Sequence, residues 1–181
     1  PDGKLPPFTP DGQKRVDALA AARGRPAHGP EDRSLGERCI LGFNAGPPMT
    51  PSAYNNNVQL FQTAGYVVIF NEMVHNARIV PLDGRPHGTI SQWHGDPRGR
   101  WEGDTLVVDT TQFYRETSLA GSSASMRLVE RFTRVDADTL LYEFTVDNPS
   151  VWTKPWTAQI PMKKSRDQMY EYACHEGNYG M

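Results

Sequence analysis

From residue 99 to residue 176 the chain repeats a strand–turn–strand rhythm, opened by Gly99-Arg100-Trp101-Glu102-Gly103-Asp104-Thr105 and closed by Tyr170-Glu171-Tyr172-Ala173-Cys174-His175-Glu176. Short β-branched and aromatic runs separated by Gly/Asp turns admit few architectures, because antiparallel strands must bury one face against another layer. The rhythm predicts an antiparallel β-barrel, calycin-like with roughly eight strands, or a sandwich, with two short N-terminal helices. The same residues match no known reaction motif, so architecture is more legible here than chemistry.

A chain of 181 residues fits a single domain, and with 38% hydrophobic residues, 7 Tyr, 7 Phe and 4 Trp its composition is globular. A formal charge of −2 with scattered Lys and Arg lacks the footprint of a nucleic-acid binder. The longest apolar run, Tyr66-Val67-Val68-Ile69-Phe70, falls far short of the ~18–20 residues that span a bilayer, so no membrane span is expected. The sequence starts at Pro1 with neither initiator Met nor signal peptide, which predicts a processed polypeptide. Cys39 and Cys174 are the only cysteines. Paired, they would close a long loop worth ~4–5 kcal/mol in the chain-entropy treatment; unpaired, they are two buried thiols, and two cysteines alone do not decide the compartment.

Along the chain, residues 1–8 are too rich in Pro and Gly for regular structure and predict an extended arm. In the helical segment 9–41, Thr9 before Pro10 is an N-cap with Pro at the first helical position, Gln13 to Arg23 propagate a helix, and Gly24 ends it. Glu31 to Leu41 reads as a second short helix with Leu35 and Cys39 on one face. Residues 42–57, with Gly46-Pro47-Pro48 and Asn55-Asn56-Asn57, form a loop into the β region 58–176. Strands are expected at Val58–Thr63, Tyr66–Val74, Asn76–Leu82, Arg100–Trp101, Thr105–Asp109, Met126–Val135, Thr139–Val146, Trp156–Lys163 and Gln168–His175, with tight hairpins at Glu102-Gly103-Asp104 and Asp136-Ala137-Asp138 and a longer polar loop over His87–Arg98.

Period-two parity singles out two acids. Glu130 shares a face with Met126, Leu128 and Phe132, and Glu72 aligns with Tyr66, Val68 and Phe70. An inward carboxylate costs several kcal/mol unless it is paired, hydrogen-bonded or protonated, and Arg78 and His75 are the expected partners of Glu72. Such acids are either structural ion pairs or general acids and bases. Glu143 falls on the opposite face, where Arg127 or Arg131 would pair with it. Five histidines, His28, His75, His87, His94 and His175, lack metal-ligand spacing, so no metal is assigned. His87 and His94 flank Trp93 in a loop that would form the mouth of a pocket. Trp152, Trp156, Tyr142, Tyr170 and Tyr172 either stack on a sugar or aromatic ligand or pack the core.

Gly99-Arg100-Trp101 is similar to the Gly-x-Trp of lipocalins, whose Trp closes one barrel end, although here it lies mid-chain. As a set, Tyr66-Val67-Val68, Glu72-Met73, Asp83-Gly84-Arg85-Pro86, Gly99 to Val108, Val129-Glu130-Arg131-Phe132 and Glu171-Tyr172-Ala173-Cys174 resemble a family of uncharacterised exported bacterial proteins. The resemblance implies secretion or a periplasmic location, and with it a Cys39–Cys174 disulfide. The family's Gly-His-Pro-His-Ser stretch reads Gly121-Ser122-Ser123-Ala124-Ser125 here, so a site built on those histidines is absent.

Three readings follow. The first is a β-barrel holding a small organic or carbohydrate ligand in a pocket lined by Tyr66, Phe70, Glu72, Arg78, Trp93, His94, Glu130 and Tyr142. The second is a hydrolase or lyase using Glu72 and Glu130 as acid and base, with His75 or Arg78 as electrostatic partner. The third is a structural subunit whose N-terminal arm lies on a neighbouring copy in a homo-oligomer. The sequence names no cofactor.

Overall fold

The computed structural model describes residues 3–117, 119, 122 and 124–179. Positions 121 and 123 of the Gly-Ser-Ser-Ala-Ser stretch lie outside the described residues. One α-helix, α1 (Pro10–Arg23), precedes eight strands: β1 (Val58–Gln62), β2 (Tyr66–Asn71), β3 (Ala77–Pro81), β4 (Asp96–Glu102), β5 (Thr105–Thr111), β6 (Arg127–Arg134), β7 (Thr139–Asp147) and β8 (Trp156–Lys163). They form two antiparallel sheets, β1-β2-β3 and β4-β5-β6-β7-β8, in which each strand pairs with its sequence neighbours. No closed barrel forms: β1 bonds only to β2 and β8 only to β7.

The inward faces of both sheets supply one core. Val67, Ile69 and Val80 from the smaller sheet pack with Leu106, Val108, Leu128, Phe132, Tyr142 and Phe144 from the larger. The sheets approach each other closely at Gly99 of β4, where a Cβ would lie 2.7 Å from a Val80 methyl and 2.6 Å from a Leu82 methyl. Only glycine admits that approach. Trp101 in the same motif is 46% exposed and seals no barrel end.

Thr9 caps α1 as its sequence predicts, its Oγ1 accepting from Gly12 N at 3.0 Å. The helix buries little beyond Gly12, where a Cβ would stand 2.3 Å from the Val151 carbonyl oxygen. The arm docks on its own chain: Thr9 N donates to Val151 O, Thr153 N donates to Pro7 O, and Phe8 lies against Trp152. Its order therefore needs no neighbouring copy.

The second expected helix, Glu31–Leu41, does not form. A single 3-10 turn covers Pro30–Asp32, and Ser34 and Glu37 then make a reciprocal capping box, Ser34 N to Glu37 Oε2 at 2.9 Å and Glu37 N to Ser34 Oγ at 3.2 Å. The helix this would start is cut short because Cys39 takes a left-handed φ of 54°. The expected strand Gln168–His175 is also absent. Its backbone makes no ladder with β8, and the segment crosses to the smaller sheet, where Cys174 joins Cys39 in a disulfide. β4 begins at Asp96, earlier than the composition predicts; Pro97 is tolerated because β4 is an edge strand. The hairpins at Gly103-Asp104 and Asp136–Asp138 form as expected, fixed by the registers Glu102↔Thr105 and Arg134↔Leu140.

Candidate functional site

The residues expected to share one pocket fall into separate places. In β2 the inward side chains are Val67, Ile69 and Asn71, so Tyr66, Val68 and Phe70 face outward, opposite to expectation. Tyr66 is exposed and its Oη accepts from Arg85 Nη2 at 3.3 Å. Trp93 is half-buried and stacks on Tyr114 at 4.6 Å between ring centroids.

Arg78, Glu130 and Tyr142 form a sealed network between the sheets. Arg78 donates to Glu130 from Nη1 at 2.5 Å and Nη2 at 2.9 Å, Tyr142 Oη donates to Glu130 Oε1 at 2.6 Å, and Met49 N donates to Tyr142 Oη at 3.0 Å. Both side chains of the ion pair are 0% exposed. Burial works against the Arg78 charge, but the Glu130 carboxylate more than offsets it and holds the guanidinium above its usual range. Burial first, and then the Glu130 charge, push the Tyr142 phenol well above the ordinary tyrosine range. Arg78 therefore serves Glu130, not Glu72, and this acid has no opening through which to meet a substrate. His94 lies close enough to feel this charge: burial, and then Arg78, lower its pKa to about 4, and its Nε2 is buried without a partner. His87 Nδ1 stands 3.5 Å from Asp96 Oδ2. Glu143 accepts from Gln159 at 2.6 Å, while Arg127 pairs with Asp109 and Arg131 with Glu102.

Glu72 and His75 occupy the β2–β3 turn. Glu72 is buried, and its Oε2 accepts from Asn57 Nδ2 at 2.9 Å. Val74 and His75 both adopt left-handed backbone, φ 56° and 41°, which for a β-branched residue costs on the order of 1–3 kcal/mol. The turn is held because Met73 and Val74 pack against the Cys39–Cys174 disulfide and Tyr172. His75 Nδ1 lies 3.2 Å from the Tyr172 carbonyl; a carbonyl only accepts, so Nδ1 carries the proton and Nε2 is left as the acceptor. With Phe70, Tyr170 and Glu171, these two residues line a cleft of about 340 Å³.

A larger cleft of about 830 Å³ opens where the two sheets fail to meet. One wall is β1, through Val58, Gln59 and Leu60; the other is the end of β8, through Ile160 to Lys163. Leu140, Ile160 and Met162 give it an aliphatic floor, half-buried because the smaller sheet does not reach across them. Asn44, the Asn55–Asn57 triplet and the Ser165–Met169 segment complete the rim. Asn44 and Asn71 are 6% and 3% exposed, yet Asn44 Oδ1 and Asn71 Nδ2 have no hydrogen-bond partner, although Asn44 Nδ2 is within reach of Ser52 Oγ and the Asn55 carbonyl. Sequence reasoning missed this site. Its signal was the alternation Ala158, Ile160, Met162 on a terminal strand beside an asparagine-rich loop. Trp152 and Tyr142 are core, and the one aromatic ring in the cleft, Phe132, is buried.

Among the described residues no three His, Cys, Asp or Glu side chains converge to hold a metal ion, and no helix is long and apolar enough to cross a membrane. No protein-family model, curated protein or solved structure matches the chain.

Proposed function

We propose that the protein is an exported β-sandwich, left open along β1 and β8, that binds a small organic ligand in the 830 Å³ cleft. The observation that carries this reading is the make-up of the cleft itself, an aliphatic floor of Leu140, Ile160 and Met162 beneath a polar rim that includes Asn44 and Asn55 to Asn57. Cleft volume, aliphatic floor and sparse polar groups match the usual make-up of small-molecule sites. With no exposed ring to stack on a sugar, the lining favours an aliphatic or amide-bearing ligand over a carbohydrate. The Cys39–Cys174 disulfide supports an oxidising compartment, periplasmic or extracellular.

The test is titration with the apolar fluorophore 1-anilinonaphthalene-8-sulfonate, in the wild type and in Leu140→Asp and Asn71→Ala. Binding that is saturable and weakened at least tenfold by either substitution supports the reading. A dye signal indifferent to both removes it.

The Glu72–His75 turn favours a second reading as an acid–base site, on the observation that the Tyr172 carbonyl leaves His75 Nε2 as an acceptor in a cleft that the buried Glu72 also lines. Screening against ester and glycoside substrates, with Glu72→Gln as control, tests it. Turnover that Glu72→Gln leaves intact rules this site out.

A further inference from the structure

Resting on the cleft reading, we infer that the occupant is an extended peptide that adds a strand to the free edge of β1. The register fixes which main-chain groups are available. Glu72 N donates to Asn57 O and Thr63 N to Tyr66 O, so odd-numbered residues of β1 exchange hydrogen bonds with β2. By the alternation of an antiparallel ladder, Val58, Leu60 and Gln62 turn their N–H and C=O groups away from β2. Among the described residues none of the three makes a backbone hydrogen bond off that edge. Val58 and Leu60 line the cleft.

The opposite wall is blunted. Lys164 N donates to Asp138 O at 2.8 Å, which fixes the bonded pairs of β7 and β8 and turns Thr157, Gln159, Pro161 and Lys163 outward. Pro161 has no N–H to offer, a common protection of strand edges. Strand addition is thus open on β1 and obstructed on β8. The recess agrees with this: alternate side chains of an added strand would point onto Leu140, Ile160 and Met162. Because the edge is recessed between the asparagine loop, β8 and Ser165–Met169, it admits a single extended chain of about five residues and not the sheet of a second folded copy.

A phage-displayed library of random nine-residue peptides, panned against the full chain, tests this. Enriched peptides are synthesised, and their binding is followed by amide hydrogen exchange. Protection at Val58, Leu60 and Gln62 is expected, with affinity falling at least tenfold in Leu60→Pro, which removes one outward donor. Should Leu60→Pro fail to fold, the same peptides N-methylated at alternate residues replace it, and they too are expected to lose at least tenfold. No enrichment, protection elsewhere, or N-methylated peptides that bind equally well overturns the inference. If 1-anilinonaphthalene-8-sulfonate still binds in the cleft, only the peptide assignment falls; if it does not, the cleft reading falls with it. A solution mass of twice 20.3 kDa by light scattering, lost in Leu60→Pro, would assign the edge to a second copy and overturn the inference.

Discussion

Arg78 of the three-stranded sheet meets Glu130 of the five-stranded sheet through both terminal nitrogens, in an ion pair that no solvent reaches. It is a charged link across a largely apolar interface. Removing one partner strands the other charge in the core, at a cost of about 3–5 kcal/mol. Glu130→Gln or Arg78→Met alone is therefore expected to lower the urea midpoint severely, whereas Arg78→Met with Glu130→Leu and Tyr142→Phe recovers most of the loss. A single substitution costing under ~1 kcal/mol would mean that water enters this network.

His94 makes stability depend on pH in a defined window. Its pKa is lowered to about 4 in the folded protein from 6.5, so between these values the unfolded chain binds more protons. Stability is full above pH 6.5 and is lost as pH falls toward 4, by on the order of 3 kcal/mol. Urea titrations at several pH values check this. His94→Gln should flatten the slope, and an unchanged slope in that variant would assign it to other groups.

The Cys39–Cys174 bond spans a sequence separation of 135. Reduction, or Cys39→Ser with Cys174→Ser, is expected to cost ~5 kcal/mol by chain entropy. Because Met73 and Val74 pack on this bond, hydrogen exchange should rise first in the Glu72–Asn76 turn and in residues 169–178. A uniform rise across all strands would contradict the local role of the clasp.

Gly12→Ala drives a methyl into the Val151 carbonyl. The expected cost is about 1–3 kcal/mol, confined to the docking of α1. Proteolysis between Arg23 and Pro30 should accelerate while near-ultraviolet circular dichroism of the core persists. Equal resistance of the two proteins would show that the helix is anchored elsewhere.

Hairpins and caps were legible because each rests on a few adjacent residues: Thr9-Pro10 starts α1, and Gly103-Asp104 closes β4–β5. Glu130 was correctly read as inward because β6 alternates cleanly. In β2 the run of Tyr, Val, Val, Ile and Phe is apolar at every position, so parity carried no information and the facing of Tyr66, Val68 and Phe70 was misjudged, whereas Glu72 is buried as expected, at the turn that follows the strand. The Gln168–His175 segment has strand composition, but the link to Cys39, remote in sequence, takes it off the sheet. The larger cleft was illegible for the same kind of reason. It exists because two edges distant in sequence do not pair, and local pattern says nothing of pairs that fail to form.

The covalent bond between positions 39 and 174 also governs what a protease can remove. All eight strands, residues 58 to 163, lie on the closed ring it creates; the residues before Cys39, which include α1, and those after Cys174 lie outside it. A single nick anywhere on the ring leaves two segments still joined through the disulfide, so no fragment diffuses away and the sheets can re-form around the cut. For cuts on the ring, mass is lost only after a second one.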